Sequence, residues 1–140
     1  MLVVFLVGGY IMKVLSIKEP WASLIINGYK EYEFRSWKTK YRGKILIHTS
    51  KEMDKKNIER FKCYGLEYKC GAIIGEAELI DCIKVDEKFS NKLIDENSII
   101  YSKSGYVEEY AWHLINIKKY DKPIEISGHL GLWEYKNKSK

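Results

Sequence analysis

A cation, a carboxylate, a second cation and an indole lie between positions 30 and 37, as Lys30, Glu33, Arg35 and Trp37. The guanidinium is a planar fork and the ammonium a point charge, and either can hold a phosphate or a base carbonyl. The carboxylate can accept from an exocyclic amine, and the indole offers a stacking face. Because side chains alternate along a strand, Glu33, Arg35 and Trp37 are predicted to share one face. The alternative interpretation is a solvated face with a structural ion pair.

The segment before this strand is predicted to be a short helix that positions it. Pro20 suits a first helical position, and Trp21, Leu24 and Ile25 follow helical spacing. Gly28 is predicted to follow the end of this helix, where a positive φ is needed. Trp21 is expected either to anchor the helix in the core, which we favour, or to line the mouth of a cleft.

Two strands are predicted on either side of this unit, at residues 13–17 and 44–49. In the second strand, Ile45 and Ile47 alternate with more polar positions and are expected to point into the core. His48 lies on the opposite face. A lone histidine is more often a structural residue than a ligand, and a role in the site is the second interpretation.

The longest strand signal covers residues 71–85, with Glu76 and Glu78 on one face. Two carboxylates on one strand face repel each other unless a cation lies between them. We expect Lys30 or Arg35 to be that cation, which would bring the two strands together at one site.

Shorter secondary-structure patterns cover other parts of the chain. Residues 54–62 are predicted to be helical with Asp54 as the N-cap. Residues 86–105 are polar and irregular apart from a short helix, and are expected to cross the mouth of the sheet as a lid or mobile segment. Residues 109–118 are predicted to be a strand, followed by a turn at Pro123.

Several of these motifs together resemble the ASCH (activating signal cointegrator homology) family, which belongs to the PUA-like folds. The pattern Gly28-x-Lys30-x-x-Glu33-x-Arg35 is complete, and it is followed by Ser36-Trp37. The supporting stretches are Pro20-Trp21-Ala22-Ser23, Tyr41-Arg42-Gly43 and Ile47-His48-Thr49. The resemblance covers roughly residues 12–133 and is specific near the central motif.

The resemblance implies a fold and a binding function. The implied fold is α+β, a small mixed β-barrel with two or three short helices, which agrees with the strand pattern. The implied function is binding of RNA, single-stranded nucleic acid or a modified nucleotide in a central cleft. The residues it implies as ligand-binding are Lys30, Glu33, Arg35, Trp37, His48, Trp21 and Ser23.

The resemblance also leaves two enzymatic alternatives open. Some small members of the family hydrolyse the amide of N4-acetylcytidine with a lysine, a threonine and a later glutamate. Lys30 matches the lysine, but Glu33 stands at the threonine position, and the later glutamate would be Glu76, or Glu78 if the alignment slips. The other alternative is a metal-assisted ribonuclease, for which Glu33, Glu76 and His48 would be the candidate ligands.

Composition bounds the remaining possibilities. The chain has 140 residues and a formal net charge of +5, which suits one domain and permits a polyanionic partner. Three cysteines lack the spacing of a zinc site or a disulfide framework, so a reducing cytoplasm is expected. There is no P-loop and no Gly-x-Gly-x-x-Gly pattern, and we expect no metal, cofactor or membrane partner. The residue usage is consistent with a bacterial or phage source.

The domain is predicted to cover residues 12–135, followed by a basic tail at 136–140. Residues 1–11 are interpreted as a non-native leader or disordered extension, with Met12 as the true start. Their apolar run is far shorter than the roughly 20 residues that span a bilayer. An additional strand or a membrane-touching tag is the alternative.

Overall fold

A computed structural model describes residues 4–6, 9–101 and 107–138 of the chain. Within these residues the structure contains seven strands, four α-helices and one 3-10 turn. In chain order they are β1 Val4–Leu6, β2 Gly9–Ile17, α1 Trp21–Ile26, β3 Tyr32–Arg35, β4 Gly43–Thr49, α2 Lys55–Arg60, the 3-10 turn Lys62–Tyr64, β5 Ala72–Lys84, α3 Glu87–Glu96, α4 Ser98–Tyr101, β6 Tyr110–Glu125 and β7 Leu132–Lys138.

All seven strands belong to one sheet with the order β1-β2-β4-β5-β6-β3, and β7 pairs with the other edge of β2. Among the described residues β2 and β4 run parallel, and the other pairings are antiparallel. The α+β class is confirmed. Closure of the sheet into a barrel is not confirmed. In the described part of the chain β3 pairs with β6 alone, and the sheet stays open beside β3. The described helices also exceed the two or three that were expected.

The core forms on both faces of this sheet. The largest cluster contains Ile45 and Ile47, as the alternating pattern predicted, packed with α1 and the buried Trp112. A second cluster on the other face of β4 joins Leu46 to Trp133 of β7. The two faces of β4 are therefore both buried, which places its carboxyl end, and His48 on it, inside the structure.

The local signals around α1 and α2 are confirmed. Gly28 follows α1 with a φ of +85°, which favours glycine. The side chain of Asp54 accepts a hydrogen bond from the backbone N–H of Asn57 and so caps α2.

The strand β6 is longer than predicted and replaces the expected turn at Pro123. It has 16 residues, against 13 for β5, and it continues to Glu125. The register with β5 jumps from the pair Gly75–Lys119 to the pair Ile73–Ile124, so the residues between bulge out of the ladder. A proline, which lacks an N–H, is tolerated in such a bulge, and this is why Pro123 does not end the strand.

The segment predicted as an irregular lid is largely helical. The carboxylate of Asp86 caps α3, and Leu93, Ile100 and Tyr101 are buried in a third core cluster, which they share with residues of α1 and β3. The hydroxyl of Tyr101 accepts from the backbone N–H of Tyr32 at 3.3 Å, so α4 packs against the start of β3. The prediction of a lid over the site is wrong for the described part of this segment, and residues 102–106 lie outside it.

The predicted boundary at Met12 stays a prediction. In the structure β2 begins at Gly9, and residues 9–11 pair with β1 on one edge and with residues 136–138 of β7 on the other. No described helix is long and apolar enough to cross a membrane.

Substituting Gly75 tests how closely β5 packs against β6 and α1. A Cβ atom at this position would overlap the backbone carbonyl oxygen of Lys118 and would lie 2.8 Å from the Cδ1 atom of Ile26. Gly75→Ala should therefore lower the free energy of unfolding by about 2 kcal/mol, measured by urea unfolding.

The variant Ile26→Val provides the control, because it removes the Cδ1 atom and leaves the Lys118 carbonyl in place. Gly75→Ala should cost about as much in this background as in the original chain. If Ile26→Val abolishes the cost, the backbone contact is not the cause.

Candidate functional site

A cleft of about 670 Å³ opens where the ends of β2 and β4 meet β3. Five of the predicted site residues line it: Trp21, Glu33, Arg35, Trp37 and His48. The cleft is also lined by residues that the sequence did not single out, namely Ser16, Lys18, Phe34, Ser36, Ser50, Lys51, Glu109 and residues 128–131. The central motif therefore does border a cleft.

A chain of charged contacts runs along β3 and ends on β2. Lys30 Nζ lies 3.5 Å from Glu33 Oε1, and Glu33 Oε2 lies 3.1 Å from Arg35 Nη2. Arg35 Nη2 also donates to the backbone carbonyl of Ser16 at 2.7 Å. Glu33 is thus held by two cations, and the guanidinium joins two strands that do not pair with each other.

Lys30 lies behind this chain rather than in the cleft. Only 3% of the residue is exposed, and it does not line the cleft. Its ammonium donates to the carbonyl of Tyr32 and lies 4.6 Å from the ring centroid of Phe34. Burial lowers the pKa of Lys30, and the nearby charge of Glu33 opposes that shift. Lys30 therefore lies beside Glu33, out of the lining of the cleft.

Arg35 lines the cleft, and 23% of its side chain is exposed. Its Nε atom is buried and has no acceptor among the described residues. A ligand in the cleft can therefore contact the exposed part of the side chain, while Nε is shielded from it.

Two half-buried indoles complete the walls. Trp37 meets the buried Trp112 edge to face, at 4.8 Å between ring centroids, and its carbonyl accepts from Trp112 Nε1. Trp21 meets Phe61 in the same manner at 5.3 Å. Trp21 thus packs against the core and lines the cleft as well, so both interpretations of this residue describe part of its environment.

His48 has one fixed tautomer. Its Nε2 atom lies 2.7 Å from the carbonyl oxygen of Ile126, which can only accept, so Nε2 carries the proton. Nδ1 then accepts from the Ser16 hydroxyl at 2.9 Å, and Ser16 Oγ accepts from Trp133 Nε1 at 3.0 Å. Burial lowers the pKa of His48, and the carbonyl of Ile126 partly opposes this. The lowered pKa favours the neutral ring, and this ring lines the cleft.

Ser23 does not line the cleft, contrary to the prediction. Its hydroxyl donates to Glu19 Oε2 at 2.5 Å and its backbone N–H donates to Glu19 Oε1 at 2.8 Å. Burial raises the pKa of Glu19, and both bonds from Ser23 oppose the shift. The pair closes the first turn of α1, which is a structural role.

Glu76 and Glu78 do not face the central motif. Lys44, on the neighbouring strand β4, lies 2.5 Å from Glu76 Oε2, and Tyr120 donates to Glu76 Oε1. Burial alone would raise the pKa of Glu76, but these hydrogen bonds lower it. Glu78 accepts from Asn116 instead. The cation that pairs with Glu76 is Lys44, so the prediction of Lys30 or Arg35 is wrong.

The structure does not bring together the residues that either enzymatic alternative requires. Lys30 and Glu33 are adjacent, but Glu76 is held by Lys44 and does not line the cleft. Within the described residues, no group of three His, Cys, Asp or Glu side chains could hold a metal ion.

The cleft residues that sequence reasoning missed had weak signals. Ser16 interrupts the apolar run of β2, and a polar residue in a buried strand was a usable signal. Lys18, Lys51 and Glu109 stand at strand ends, where charged residues are ordinary. Nothing in the sequence shows that these ends meet.

The sequence is similar to a known domain family and to known proteins. The family model of the ASCH domain matches residues 15–124. The protein activating signal cointegrator 1 of Homo sapiens is 35% identical over 81 residues, as is that of Mus musculus. Each match covers 49% of this chain and only 14% of the relative.

Solved structures show the same similarity. The crystal structure of ASCH from Zymomonas mobilis matches with a TM-score of 0.53 and 20% identity, over 81% of this chain and 73% of that chain. A point mutant of the same protein matches with a TM-score of 0.51 and 18% identity, over 81% and 75%. At such identities the likeness concerns the fold.

Lys30→Met should lower the free energy of unfolding by about 3 kcal/mol, because Glu33 keeps only one of its two cations. The double variant with Glu33→Gln should cost less than the sum of the two single variants, by at least about 1 kcal/mol. Urea unfolding of the four proteins measures this coupling.

The solvent-accessible pair Lys13–Glu134, at 3.2 Å, serves as the matched control. The same cycle there should give a coupling below about 1 kcal/mol. Equal coupling in the two cycles would contradict the buried role of Lys30.

His48 should remain neutral with the proton on Nε2 down to a pH below its ordinary pKa of 6.5. As the pH falls, the unfolded chain then takes up a proton before the folded one does. The stabilisation by the neutral ring is therefore complete above about pH 6.5 and is lost below it. Long-range ¹H–¹⁵N NMR of the imidazole reports both tautomer and pKa.

Ser16→Ala should raise the pKa of His48, since Nδ1 loses its hydrogen-bond donor. A ring that carries its proton on Nδ1, or that is doubly protonated at neutral pH, would contradict the assigned hydrogen bonds.

Proposed function

The chain belongs to the ASCH domain family, and we propose that its cleft binds one nucleotide of a single-stranded RNA or other nucleic acid. The observation that carries the proposal is the convergence of Trp21, Trp37 and Arg35 on one cleft. Its volume of about 670 Å³ suits a nucleotide-sized group, since ligand pockets measure roughly 300–1,000 Å³.

The base of the ligand is recognised by stacking on aromatic side chains and by hydrogen bonds to its edge. Base stacking on an aromatic side chain contributes about 1–3 kcal/mol and tolerates any base. Arg35 presents the exposed part of its side chain to an acceptor on the ligand. Glu33 keeps lone pairs beyond those that Lys30 and Arg35 occupy, and these can accept from an exocyclic amine of cytosine or adenine.

Two lysines at the cleft supply the charge for a phosphate backbone. Lys18 and Lys51 both line the cleft and are exposed. Within the described residues, neither is within ion-pair distance of a carboxylate. Free cations on a binding surface attract phosphate and release counterions when they bind it.

The proposed setting is the cytoplasm. The three cysteines, Cys63, Cys70 and Cys82, are all free thiols in the structure. This is the usual state in a reducing compartment.

Trp37→Ala should weaken binding of a fluorescein-labelled single-stranded RNA octamer by about 10- to 100-fold, measured by fluorescence anisotropy, because a stacking face is lost. Trp37→Phe is the matched control and should retain most of the affinity. Arg35→Lys should also weaken binding, since an ammonium does not reproduce the planar fork.

Melting temperatures of the same samples exclude loss of binding through unfolding. If the unaltered chain does not bind the octamer, the proposed function fails. If Trp37→Ala binds as tightly as the original, the site is elsewhere. Incubation with acylated nucleosides, read by mass spectrometry, completes the test: release of a deacylated product would favour the hydrolase alternative.

A further inference from the structure

Leu130 is the most exposed of the large apolar residues in the described part of the chain. It is 98% exposed, against 56% for the next, Ile99. It lies in the loop before β7 and lines the same cleft as Arg35 and Trp37. Its side chain therefore stands almost entirely in solvent at the edge of the proposed site.

The residues just before Leu130 contact buried groups. The carbonyl of Ile126 accepts from His48 Nε2 at 2.7 Å. Gly128 lies so close to His48 and Ser16 that a Cβ atom would be 2.6 Å from each. The ring of His129 meets that of Trp133, in β7, edge to face at 5.0 Å. The loop holds Leu130 in place although its side chain has little to pack against.

Single exposed apolar side chains are common on protein surfaces and by themselves need no explanation. Two observations distinguish Leu130. Its loop is packed against buried groups of the cleft, and Lys18 and Lys51, which form no ion pair with the described residues, line the same cleft. An apolar side chain and free cations together match a polymer that carries both bases and phosphates.

We propose that Leu130 packs against the base next to the one held in the cleft, so that the ligand is a single strand of at least two nucleotides. This inference rests on the proposed function. Leucine is one of the apolar side chains that proteins place against base steps. Such a contact makes no hydrogen bond, so it adds affinity for any neighbouring base.

The test compares a polymer with a monomer on the same variants. Leu130→Ser should raise the Kd for the single-stranded RNA octamer about tenfold, as expected for loss of one leucine contact. The Kd for the single nucleotides CMP and AMP, measured by NMR titration, should not change. Leu130→Met should retain the affinity for the octamer, because it keeps an apolar side chain of similar volume.

Ile99→Ser is the matched surface control, since Ile99 is exposed on α4 and does not line the cleft. It should leave both Kd values unchanged. An octamer Kd within about twofold of the original in Leu130→Ser would overturn the inference and leave the proposed function intact. Equal weakening of octamer and single nucleotides would also overturn it, because Leu130 would then contact the nucleotide in the cleft. If neither probe binds the unaltered chain, the proposed function itself fails and the inference with it.

Discussion

The structure depends on one buried charged contact, the carboxylate of Glu33 held between Lys30 and Arg35. Two cations around one carboxylate would be costly to bury without further partners, and the backbone carbonyls of Tyr32 and Ser16 supply them. Since β3 and β2 do not pair, the bond from Arg35 to Ser16 takes the place of a strand ladder between them. The cleft lies where that ladder is missing, so one interaction both links these two strands and shapes the site.

Local sequence signals predicted the parts of this arrangement that depend on neighbouring residues. Gly28 and Asp54 were recognised because a helix end needs particular residue types. The strand at 32–35 was recognised from alternation, which also predicted that Glu33 and Arg35 would act together. The family resemblance added the expectation of a cleft beside this strand, and in the structure Glu33, Arg35 and Trp37 line a cleft.

Long-range pairing and burial could not be predicted in the same way. The partner of Glu76 is set by the register of β4 against β5, and nothing local to either strand specifies that register. A lysine in a binding motif is ordinarily taken to contact ligand, yet Lys30 is buried among aromatic rings, and one of these, Tyr101, comes from a distant segment. Ser23 has a partner only four residues away, Glu19, but a serine after proline and tryptophan carries no sign of it.

Because β2 pairs with strands from both halves of the chain, the parts of the cleft come together in a definite order. Leu15 of β2 pairs with Leu132 of β7, while the far edge of β2 pairs with β4. Ser16 and residues 128–131 line the same cleft although most of the chain separates them. Contacts of such high sequence separation form slowly, because the loop between them must close first. During synthesis from the N-terminus, β2 can pair with β7 only after β7 has emerged, so we expect the cleft of a nascent chain to be completed last.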